Sequence, residues 1–122
     1  MINKQNDIEG LNSTPTNINI LVQFPENKSA VSTEQRSNVE RIAAYLKSHP
    51  EATCVIKGYA SPDGNHDDNI KLASGRADSV KKMLITTFGI DADRIEAIGG
   101  GISTIIEELN GGRVSICEII VK

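Results

Sequence analysis

Two stretches of helical periodicity are set between short aliphatic runs, and that alternation narrows the folds open to this chain more than any single residue does. Val39, Ile42, Ala43 and Leu46 recur at i, i+3, i+4 and i+7. They predict a helix over 33–48, opened by a capping box of Ser32 and Gln35 and closed at Pro50. A second helix is predicted from about Asp67 to Phe88, with Gly89 as its C-cap. Before, between and after them lie strand-like runs at Asn17–Phe24, Ala52–Ala60, Arg94–Ile98 and Arg113–Val121. The first alternates Ile18, Ile20, Val22 and Phe24 on one face. Gly99-Gly100-Gly101 should turn or stay open, and Ile102–Asn110 fits a short helix or a loop. The order is β-α-β-α-β-(x)-β. Each helix has one apolar stripe and so covers a sheet from one side, which favours a two-layer α/β sandwich. The alternation on its own would pair the first three strands in parallel through right-handed crossovers.

Composition sets the outer limits. The chain's 122 residues make one domain, with 1–17 expected as a polar linker or tail and 18–122 as the folded part. Aromatic residues are 3% and tryptophan is absent, so the core must be aliphatic. A net charge of −3 gives no basic footprint and argues against nucleic acid as a partner. No apolar run approaches the roughly 20 residues of a membrane span, so this segment is not expected to insert. The polar start lacks a signal-peptide pattern, which leaves a cytoplasmic protein or a segment of a longer exported chain.

Catalytic chemistry is hard to assemble from these residues. His66, Asp67 and Asp68 are poorly spaced for a metal, and the two acids suit the first turn of a helix, where the dipole favours them. Ser61 lacks the flanking glycines of a nucleophile elbow. The three glycines do not open a predicted helix and so form no phosphate cradle. His49, before Pro50, is expected at the surface. No metal or cofactor is expected. One residue stands out instead. On a wheel at 100° per residue, Leu72, Ala73, Ala77, Val80, Met83, Leu84 and Phe88 fill one arc of roughly 160°. Asn69 and Arg76 fall inside it. A buried guanidinium needs a partner. Arg76 pairs with Asp63 and pins the loop before the helix, or it lines a pocket at the end of the second strand and grips an external carboxylate, or the helix is wrongly placed and the arginine is simply exposed to solvent. On the second reading, Arg76→Ala would remove binding and spare the fold.

Four elements in order carry a family likeness. They are Gly58-Tyr59-Ala60-Ser61-Pro62-Asp63-Gly64, then Asn69 with Leu72-Ala73-Ser74-Gly75-Arg76-Ala77-Asp78-Ser79-Val80, then Ala97-Ile98-Gly99-Gly100-Gly101, and last Arg113-Val114-Ser115-Ile116. Over residues 18–122 the chain resembles the OmpA-like, or MotB-type, peptidoglycan-binding domain. The resemblance implies a βαβαββ fold with helices on one face of a mixed four-stranded sheet, the last strand inserted between the first and second. It implies a noncatalytic, periplasmic module of a larger outer-membrane-associated protein, with a homodimer as a further expectation. Its partner would be the diaminopimelate of the peptidoglycan stem peptide. In the family an aspartate after the second strand and an arginine in the second helix hold the amino and carboxyl groups. Arg76 takes the arginine position, but Ser61 takes the aspartate's, and Asp63 is the nearest replacement. Gly111-Gly112 also displaces a basic residue often found before Arg113. The implied ligand set is Ser61, Asp63, Asn69, Leu72, Arg76 and Arg113. Two rival readings stay open. One is a structural or protein-interaction domain that has lost the ligand with the aspartate; the other is an enzyme anchoring a small molecule on Arg76. The family pattern also puts Ile56, Val114 and Ile116 on the helix-covered face. Cys54 would then share that face while Cys117 points away, which predicts two free thiols.

Overall fold

A computed structural model describes residues 17–102 and 109–121. Six main elements follow in order: β1 (Asn17–Gln23), α1 (Arg36–Ser48), β2 (Thr53–Ala60), α2 (His66–Thr86), β3 (Ile95–Ile102) and β4 (Val114–Ile120). Apart from Asn17, which opens β1, the segment read as a linker lies outside the described residues. So does most of the ambiguous 102–110 stretch, whose ends close β3 and open a short 3-10 turn at Asn110–Gly112.

The sheet order is β1-β4-β2-β3. β2 and β3 pair in parallel, as strand-helix alternation requires. β1 and β2 do not pair: β4 lies between them, antiparallel to both. This is the inserted strand and mixed sheet that the resemblance implied, and it corrects the all-parallel reading of the first three strands. One aliphatic core joins the sheet to both helices. It includes Ile20, Val22, Cys54, Ile56, Cys117 and Ile119 from the strands, with Val39, Ile42, Leu46, Ala77, Val80 and Leu84 from the helices.

The face assignment of β4 needs correcting. Gly58 stands opposite Ser115, Ile56 opposite Cys117 and Cys54 opposite Ile119. Directly paired residues share a face, so Ser115, Cys117 and Ile119 are the buried set, while Ile116, Glu118 and Ile120 lie on the far side, half-exposed. Burial of the other set would have drawn the Glu118 carboxylate into an aliphatic core. The two thiols therefore sit in one layer, both buried, and they hydrogen-bond to each other. That hydrogen bond and burial push the Cys117 thiol well above its ordinary range. Both thiols are free, as expected, although they lie on one face and not on opposite ones.

Three local expectations also change. Ser32 makes no side-chain cap. Gln35 Oε1 instead accepts the Gln23 backbone N–H at 2.9 Å and Asn38 Nδ2 at 3.0 Å, so its amide closes the end of β1 rather than a capping box. His49 is half-buried, stacked on Tyr45 with ring centroids 4.5 Å apart. The glycine run neither turns nor stays open. It continues β3 with a bulge: Gly99 pairs with Gly58 and Gly101 with Tyr59, leaving Gly100 as the extra residue. A Cβ on Gly100 would stand 2.6 Å from the Tyr59 ring.

Candidate functional site

Arg76 sits where the wheel placed it, on the sheet-facing side of α2, only 1% exposed. Its partners are not carboxylates. Nε donates to Lys28 O at 2.8 Å, Nη1 to Tyr59 O at 2.9 Å and Nη2 to Pro25 O at 3.2 Å. The guanidinium lies over the Phe24 ring, 5.4 Å from its centroid. Three carbonyls and a ring face thus offset the desolvation of the charge. Of the five N–H donors of a guanidinium, one on each Nη has no acceptor among the described residues. Burial, and secondarily the charge of Arg113, push the proton affinity down to about 10, so Arg76 stays cationic at neutral pH.

These bonds bear on the first of the readings of Arg76. The residue does pin the neighbouring loops, but through carbonyls, and among the described residues no ion pair joins it to Asp63. It also lines a small pocket of about 40 Å³ together with Glu26, Asn27, Ser61, Asp63, Asn69, Leu72 and Arg113. All six residues singled out from the sequence meet there. A void of that size takes a charged head group rather than a whole drug-sized ligand.

Each wall has a local cause. The Asn65 side chain caps α2 by accepting from the Asp68 N–H at 3.0 Å. This capping Asn went unremarked in the sequence, although an acid three residues on marks it. Asp67 and Asp68 follow in the exposed first turn of α2. Asn69, the other polar residue in the apolar arc, donates from Nδ2 to Asp63 O at 2.6 Å, and the Asp63 N–H donates to Ser61 Oγ at 3.1 Å. Together they hold the 61–63 loop against the helix. Asn110, with φ 54°, donates from Nδ2 to Phe24 O and Arg113 O, which ties the start of β4 to the end of β1 beside Arg113.

Glu26 and Asn27 were missed from the sequence. They form the tip of a turn closed by Lys28 N–H to Pro25 O at 3.2 Å, with Asn27 in the left-handed region at φ 61°. A Pro-Glu-Asn run after a strand was a turn signal, but nothing local says that it packs against a helix 48 residues further on. The finished pocket carries two cations, Arg76 and Arg113, and two carboxylates, Glu26 and Asp63. Such a lining complements a group that is itself zwitterionic.

Comparison with known proteins gives the family and supports the fold. The chain is 34% identical over 98 residues to the "Probable lipoprotein YiaD" of Escherichia coli, a match covering 75% of this chain and 44% of the relative. It is 30% identical over 83 residues to the "Peptidoglycan-associated lipoprotein" of Legionella pneumophila, covering 68% of this chain and 47% of the relative. The chain thus spans less than half the length of either. Among solved structures, the peptidoglycan-associated lipoprotein of Burkholderia pseudomallei superposes with a TM-score of 0.68 at 23% identity, over 83% of this chain and 88% of that one, a likeness of fold. No helix among the described residues is long and apolar enough to cross a membrane. The OmpA family model matches residues 23–111, most of the folded part and nearly every wall of the pocket, and the chain belongs to the OmpA family.

Proposed function

We propose that this domain is a noncatalytic cell-wall-binding module. It associates noncovalently with the diaminopimelate of the peptidoglycan stem peptide and tethers a larger, periplasmic or outer-membrane-associated protein to the wall. The observation that carries the reading is Arg76: a buried, permanently charged fork that keeps N–H donors beyond its structural bonds and lines a pocket sized for a head group. In this reading a ligand carboxylate takes the place beside Arg76 and Arg113, where two cations accumulate. Leu72 supplies an apolar wall for the methylenes next to it. Family membership supports the reading, as does the printed name of the Legionella relative.

Ser61 sets the expected strength. It accepts a hydrogen bond from Asp63 N–H and brings no charge toward an ammonium. Ser61→Asp should therefore tighten binding of free meso-diaminopimelate by about tenfold, the lower end of what a charge-assisted hydrogen bond contributes at a partly solvated site. Isothermal calorimetry on both chains checks this. Unchanged or weaker binding by the aspartate variant would contradict the proposed orientation of the ligand.

A further inference from the structure

We infer that Glu26 supplies the negative charge that takes the ligand's ammonium group, in place of the aspartate that position 61 lacks, so that the two charges of the bound amino acid are read by Glu26 and Arg76 as a unit. The inference rests on the peptidoglycan reading above and goes beyond it by assigning a specificity residue on a different loop.

Arg76 organises the chain around it. Nε and Nη2 bind Lys28 O and Pro25 O, the two ends of one turn, and Glu26 and Asn27 lie between them. Nη1 binds Tyr59 O, two residues before Ser61. A single planar group therefore fixes both rims of the pocket, the 25–28 turn and the 59–63 loop, relative to itself. Glu26 is exposed yet has its backbone clamped on either side by the cation that would hold the ligand carboxylate. Among the described residues neither Glu26 nor Asp63 forms an ion pair with Arg76. The two carboxylates remain available to a ligand.

The two are not equivalent. The Asp63 backbone is committed at both its N–H and its carbonyl, to Ser61 Oγ and Asn69 Nδ2. That arrangement braces the loop onto α2. Glu26 has the longer side chain and stands at the tip of a turn whose ends touch the guanidinium directly. An α-amino acid carries its ammonium one carbon from its carboxylate, so the acceptor for the ammonium must sit close beside the carboxylate site. Glu26 meets that requirement through the same group that defines the site.

Calorimetry with two probes tests this: meso-diaminopimelate, and pimelate, the same seven-carbon dicarboxylate without ammonium groups. The unaltered chain should prefer diaminopimelate. Glu26→Gln should weaken diaminopimelate binding by about tenfold and leave pimelate binding unchanged or improved, since it removes charge and keeps shape. Adding Ser61→Asp to Glu26→Gln should restore the preference, because the charge is returned on the other rim. Asp63→Asn should keep most of it. Should Glu26→Gln retain the full preference, or Asp63→Asn alone abolish it, the assignment of Glu26 is wrong while the binding function stands. Failure of the unaltered chain to bind either probe overturns the peptidoglycan reading itself.

Discussion

Arg76→Ala is expected to lower unfolding stability by about 3–5 kcal/mol and to abolish ligand binding along with it. The substitution removes the arginine's donors from the carbonyls of Pro25, Lys28 and Tyr59, leaving Pro25 O only the Lys28 N–H, in a site where the arginine is 1% exposed, and it uncovers the Phe24 ring. From the sequence alone this variant should have left the fold intact. The structure gives the residue a structural role, so loss of binding in Arg76→Ala is not by itself evidence for a ligand contact. Urea unfolding of the variant beside the parent chain checks the structural half. An unchanged midpoint would mean that the three carbonyl bonds contribute nothing in solution.

Gly58→Ala should be comparably severe, at about 3 kcal/mol or more. The new Cβ would collide with Ala73 O and lie 2.7 Å from Ala77 N, both backbone atoms of α2. Side chains can swing aside, but a helix backbone moves only as a body. α2 would have to lift from β2 over the stretch where Gly58 pairs with Ser115 of the neighbouring strand. The same helix carries Asn69, Leu72 and Arg76, so lifting it opens the pocket as well. Thermal unfolding would show the loss directly, and a variant melting with the parent chain would mean that the helix does not pack on the sheet as closely as described.

What could be read in advance follows from which interactions leave a trace in sequence. The helices were visible because a buried stripe repeats every three or four residues, and Arg76 and Asn69 were visible because they break that stripe. The six pocket residues came from that break together with the family pattern. What Arg76 binds was not legible: any residue can present a carbonyl, so three backbone acceptors leave no sequence mark. Glu26 and Asn27 stayed hidden for the same reason, since their turn belongs to the site only through those carbonyls. The β4 register was legible and was misread. Glu118 shares its parity with Val114 and Ile116, and a carboxylate at that position argues against burying the set. Ser32 and Gln35 show the opposite failure. Their spacing fits a capping box, yet the end of β1 offers Gln35 a competing donor that local spacing cannot reveal.

The central claim is that this domain holds peptidoglycan through the Arg76 pocket. Co-sedimentation with purified, diaminopimelate-containing sacculi, run with and without excess free meso-diaminopimelate, tests it most directly. The account predicts saturable recovery of the chain in the pellet and its release by the free amino acid. A chain that stays in the supernatant, or that pellets and is not displaced, would contradict it.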